Sequence, residues 1–182
     1  MMKKVLSTAM GMFLSAAVSA QPVDLAKSSV TATFKQTGVA VDTKFTRFKA
    51  DVSFDPAAPE KTSANMQVDI TSFDLGDPEY NKEVQKPEWF NSAKYAQATF
   101  VTQSVRAISA DRLEASGTLT IKGKAQPVVV PITVKQTGNT RTFSGELPIK
   151  RLVFKIGEGD WSDTDIVADE VKIKFTVVTA AQ

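Results

Sequence analysis

The sequence predicts an all-β fold, an eight-stranded antiparallel β-barrel with one short helix in its longest connection. Three observations predict it. Apolar and polar residues alternate with period two in one stretch after another, as strands with one dry and one wet face do. Gly, Pro and Asn punctuate those stretches at turn positions. The chain also carries enough residues for one well-buried domain, and it has no cysteine to staple a smaller one.

The elements follow in order. Lys3 and Lys4 precede an apolar run from about Val5 to Val18, and Val18-Ser19-Ala20 offers small residues for cleavage. This is the pattern of a secretory signal peptide over 1–20, leaving a mature domain of 21–182 that starts at Gln21. No later segment reaches the length of a membrane-spanning helix. Strands are expected at about 29–36, 46–55, 63–71, 97–106, 112–122, 126–136, 142–150 and 169–179. Asp55-Pro56 and Pro59 separate the second from the third. Lys122-Gly123-Lys124 and Thr137-Gly138-Asn139 mark tight links, so the second half reads as an up-and-down meander. In the long connection Asp77 is placed to cap a helix with Pro78 first and Glu79 in its first turn, and Pro87 stops it. The helix is expected over 78–86. Trp89 and Phe90 follow as a lid over one opening of the barrel.

The strand parity assigns an inward face. Phe34, Phe48, Met66, Val68 and Ile70 belong to it in the first half; Phe100, Leu119, Ile121, Val130, Ile132, Phe143 and Phe175 belong to it in the second. Small residues share that parity, among them Ala50, Ala64, Ala98, Ala115, Gly117 and Gly145. An eight-stranded barrel is near the size at which the interior either fills with side chains or holds one ligand. Small inward residues leave room for a ligand, and interdigitation fills the same room; periodicity alone leaves both open.

Composition excludes several kinds of chemistry. With no His and no Cys there is no Ser-His-Asp triad, no Cys-His pair and no ordinary zinc site, so no enzyme is expected. Removing Lys3 and Lys4 leaves 20 basic and 20 acidic residues, without a basic run for nucleic acid. Glu158, Asp160, Asp163, Asp165 and Asp169 crowd one loop, but their spacing misses the EF-hand pattern; a solvated loop is the expectation, with no metal.

Several motifs taken together are more specific. Phe45-Thr46-Arg47-Phe48 precedes Val52-Ser53-Phe54-Asp55-Pro56. Trp89-Phe90-Asn91 is followed by Tyr95 and Phe100. Gly117-Thr118-Leu119-Thr120-Ile121-Lys122-Gly123 precedes Pro127-Val128, and Arg151 precedes Phe154 and Ile156-Gly157. In this order the chain resembles the YceI-like family of lipid- and polyisoprenoid-binding proteins over about 28–179. The resemblance implies a lipocalin-like barrel, a periplasmic location, no catalysis and no cofactor. As ligand it implies an elongated isoprenoid, a polyprenyl phosphate, diphosphate or quinone-like lipid, lying against the inward residues together with Trp89, Phe90 and Phe154. It makes a homodimer plausible. The departures, such as the absence of His, Lys44 in place of a glycine and Tyr80-Asn81 in place of an Arg-Asp pair, fall on polar positions near loops. Lys44, Arg47, Arg151 and Lys155 lie beside the aromatic motifs. They are candidates for holding a charged headgroup, with ordinary surface charge as the alternative. A fatty-acyl carrier and a solid-core interaction module for a membrane or respiratory partner are the alternative functions.

Overall fold

The computed structural model describes residues 20–181. Apart from Ala20, the expected signal peptide lies outside them. Among the described residues ten strands form one antiparallel sheet: β1 (Ser29–Gln36), β2 (Val39–Phe45), β3 (Phe48–Ser53), β4 (Ser63–Asp69), β5 (Phe73–Asp74), β6 (Gln97–Ser109), β7 (Arg112–Ile121), β8 (Lys124–Thr137), β9 (Thr140–Lys150) and β10 (Val167–Ala180). Their spatial order is β3-β4-β6-β7-β8-β9-β10-β1-β2-β5, so the expected meander runs from β6 to β10 and β1 then returns to pair with β10. The sheet curls into a half-barrel with its apolar face inside. Along β7 the burial alternates residue by residue, as period two requires.

Ten strands replace the eight expected, because two were not visible as apolar alternation. Thr37 and Gly38, at φ +46° and +81°, make a two-residue turn that folds β2 back onto β1. Inward-facing Thr43 interrupts the apolar parity of β2, yet it is buried because its hydroxyl donates to the Asp74 carbonyl at 2.8 Å. The two-residue β5 pairs only with Lys44 and Phe45. The expected second strand loses its beginning to the corner at Thr46 and Arg47, where both backbone N–H groups bond to Ser72.

The short helix α1 (Pro78–Glu83) starts as the sequence indicates: Asp77 accepts from the backbone N–H of Glu79 at 2.8 Å. It ends sooner than expected, since Gln85 and Lys86 donate to carbonyls only three residues back.

Two apolar clusters lie along the inner face. One gathers Val68, Ile70, Leu119, Ile121, Phe154 and Ile156 near α1. The other gathers Val52, Phe54, Leu113, Ala115, Val130 and Phe143 at the far end. There the segment before β1 spans from one side of the curled sheet to the other: Gln21 pairs with Val52 of β3 and Val23 with Thr179 of β10. Gln21 is buried, and its side chain donates to the Phe54 carbonyl at 2.8 Å.

Candidate functional site

Between the clusters lies a cavity of about 530 Å³. Its walls come from nearly every strand: Val30 and Phe34 of β1, Met66 and Val68 of β4, Phe100 of β6, Leu119 of β7, Ile132 of β8, Ile149 of β9 and Ile173 of β10. Such a volume is in the range of pockets that enclose an elongated small molecule. At one end the walls are Gln36, Glu79, Tyr80, Glu83, Trp89 and Trp161, the residues of the mouth. The two indoles meet there at 5.3 Å between centroids.

Buried cations hold the mouth together. Arg151 is 2% exposed, and all five of its N–H groups donate to backbone carbonyls. Nε reaches Ala168, Nη1 reaches Ile156 and Gly157, and Nη2 reaches Trp161 and Val167, at 2.7 to 3.1 Å. Burial pulls its pKa below the usual arginine value, against the opposing charge of Asp169. Gly157 has to be glycine: at φ +74° a Cβ would stand 2.3 Å from Arg151 Nη1.

Lys122 sits with Gly123 in the two-residue turn between β7 and β8, both at positive φ. Its buried ammonium donates to the carbonyls of Pro87 and Lys155 and to Glu158 Oε2, at 2.7, 2.6 and 3.0 Å. It thereby ties the lid segment to the loop after β9. The hydrogen bond from Lys122 is the main reason that the Glu158 carboxyl titrates below its usual range.

A YceI-like domain model matches residues 22–179. The chain belongs to the YceI-like family. Among the relatives of this YceI-like chain is a UPF0312 protein of Shewanella baltica, 30% identical over 137 residues, 71% of this chain and 72% of the relative. Burkholderia cenocepacia BcnA is 51% identical, superposes with a TM-score of 0.85, and matches over 87% of this chain and 99% of its own. A polyisoprenoid binding domain from Saccharophagus degradans shares the fold at a TM-score of 0.72 with 15% identity, over 91% of this chain and 100% of that one.

The residues assigned to the lumen of the YceI-like domain divide in two. Phe34, Met66, Val68, Ile70, Trp89, Phe90, Phe100, Leu119, Ile121, Val130, Ile132, Phe143 and Phe175 line the cavity. Phe48, Ala115, Gly117 and Phe154 do not. Phe48 packs against the first cluster from its margin, and Phe154 is buried within it. Ala115 has no accessible surface at all. The room beside Gly117 is taken by its neighbours: a Cβ there would stand 2.4 Å from the Val101 carbonyl oxygen and 2.7 Å from the Phe100 ring. Gly145 lies under Phe175 in the same way. These two glycines make space for rings of the adjacent strands.

The proposed headgroup cations are engaged elsewhere. Lys44 pairs with Asp74 at 3.5 Å, and Lys155 lies 3.9 Å from Glu158. Arg47 donates to Asp69 at 2.9 Å and to Thr71 at 2.7 Å. Of the four only Arg151 lines the cavity, and it has no N–H left to offer. The loop carboxylates considered for Ca²⁺ form no metal-holding group among the described residues.

Sequence reading missed Gln36, Glu79, Tyr80 and Glu83 at the mouth, and it missed Lys122. A signal existed for the helix residues: Glu79 and Glu83, like Tyr80 and buried Val84, are four apart and share a helix face.

Proposed function

We propose that this YceI-like chain is a non-enzymatic periplasmic carrier that encloses a long isoprenoid lipid in the cavity of its curled sheet. The observation that carries the reading is the cavity itself. It is walled almost wholly by apolar side chains from nearly every strand, with a few polar groups at its mouth. Binding there draws on buried hydrocarbon, roughly 0.8 kcal/mol per methylene before the costs of ordering the chain. The isoprenoid class is supported by the fold shared with the Saccharophagus polyisoprenoid binding domain. The periplasmic location is supported by the leader pattern over 1–20.

Organic extraction of the native protein followed by mass spectrometry tests the cargo. An isoprenoid is expected. A fatty-acyl species would move the reading to a fatty-acyl carrier, and no lipid at all to an interaction module. Intact mass from the periplasmic fraction tests the location: loss of residues 1–20 is expected, and a full-length mass would overturn it. Size exclusion with light scattering tests the proposed homodimer.

A further inference from the structure

The residues that follow the leader pattern form a polar seat at the far end of the curled sheet. Gln21 is 3% exposed, whereas Ala20 before it is exposed. Pro22 confines Gln21 to extended backbone, the conformation needed to lie against a strand. The Gln21 backbone nitrogen donates to the Val52 carbonyl at 2.8 Å, and its side-chain Nε2 donates to the Phe54 carbonyl at 2.8 Å. Its Oε1 accepts from the hydroxyl of Thr179, itself 1% exposed, at 3.4 Å. Val23 bridges to Thr179, and the Asp24 N–H donates to the Val178 carbonyl, so the next residues are pinned to β10.

The proposed leader cleavage makes Gln21 the amino terminus, and a terminal glutamine has a chemistry of its own. The lone pair of its neutral α-nitrogen attacks the side-chain Cδ. The N–Cδ bond forms, the Cδ–Nε2 bond breaks, and Nε2 leaves as ammonia with one proton from the amine. The product is a pyroglutamyl lactam. An ordinary α-amine has a pKa of about 7.7–8.0, so a neutral fraction is at hand in mild base. Geometry then decides, because the α-nitrogen has to approach Cδ to about 3–3.5 Å. Carbonyls two residues apart along extended backbone lie about 6–7 Å from each other. With one nitrogen anchored to Val52 and the other to Phe54, the Gln21 side chain is stretched along β3 instead of curling back on its own amine. Ring closure would also take Nε2 away from the Phe54 carbonyl.

Resting on the leader cleavage proposed above, we infer that Gln21 is a protected amino terminus, which the folded protein keeps as an uncyclised glutamine between β3 and β10. With residues 1–20 removed, the α-ammonium retains its bond to Val52 and meets solvent on the side where exposed Ala20 stood. The terminus is then a structural part of the far end, and the lactam forms only when the seat opens.

The test follows the intact mass of mature protein from the periplasmic fraction during incubation in mild base. Freshly isolated protein is expected to start at Gln21 and to retain its full complement of ammonia. Loss of one ammonia is expected to be at least about ten-fold slower in the native protein than in the same protein unfolded in guanidinium, since only locally opened molecules can react. Equal rates in the two states would overturn the inference. So would natively folded protein that already lacks one ammonia when isolated. A full-length mass, or a mature chain that starts at another residue, would overturn the cleavage site and this inference with it. The cargo found by organic extraction is unaffected by any of these outcomes, so the carrier reading and this inference fail separately.

Discussion

The two ends of the curled sheet solve the same problem with opposite means. At the far end, burial is achieved by apolar fit: Phe100 covers Gly117, Phe175 covers Gly145, Phe54 meets Phe143 edge-on, and Ala115 is sealed completely. At the mouth, loops that would leave carbonyls stranded are gathered around two buried cations, Arg151 and Lys122. Apolar packing closes the far end around Ala115 and the two glycines, while Val130 and Phe143 of the same cluster also wall the cavity. Carbonyls gathered on a cation hold a loop in place without filling the room beside it. The cavity lies where the first means gives way to the second.

The comparison can be broken from the mouth side first, where the largest effect is expected. Arg151→Leu should cost about 3–5 kcal/mol in denaturant unfolding, because it leaves five inward carbonyls without a donor. Arg151→Lys should recover little of it, since an ammonium cannot match the planar fork. At the far end, Gly117→Leu should cost about 1–3 kcal/mol by overpacking against Val101 and Phe100. Ala64→Phe offers the contrast, because Ala64 does line the cavity. Its melting temperature should stay near that of delipidated parent, with co-purified lipid lost; a melting temperature as low as that of Gly117→Leu would mean that the walls had closed.

Smaller effects sharpen the picture. Asp77→Ala removes the acceptor for two N–H groups of α1 and should cost about 1 kcal/mol. For Glu158, the hydrogen bond from Lys122 lowers the folded-state pKa from the ordinary glutamate value of about 4.5. Its contribution to stability is therefore fully present above that value and is lost as pH falls through the lower folded one. Acid titration of the wild type should show an unfolding component below about pH 4.5 that Glu158→Gln lacks. Identical acid profiles would show that the Lys122 clamp does not depend on the carboxylate.

The same contrast explains what could be read in advance. Period-two alternation carried the strands of the meander and the parity of most cavity residues, because a strand's faces are set by its own sequence. The helix start was legible at Asp77 for the same local reason. Whether Gly117 and Ala115 face free space stayed open in the sequence, because a neighbouring strand decides what covers them, and that depends on register. β2 stayed hidden because Thr43 is inward, with its hydroxyl satisfied by a strand distant in sequence. Arg151 read as a surface cation suited to a headgroup. Its burial depends on carbonyls presented by a loop that turns at Lys155 and Gly157, both at positive φ.

The pairing of β1 with β10 also has a consequence for the order of assembly. The first strand of the sheet finds one of its two neighbours only in the last, and Gln21 and Val23 reach β3 and the end of β10. A chain emerging N-terminus first can form hairpins such as β1–β2 early, yet it cannot seat its opening residues until the final strand is released. Contacts of such long sequence separation make for slow closure. The native state is therefore reached only by the whole chain, and any shorter emerging length leaves an apolar sheet face and an unpaired strand edge for other proteins to shield.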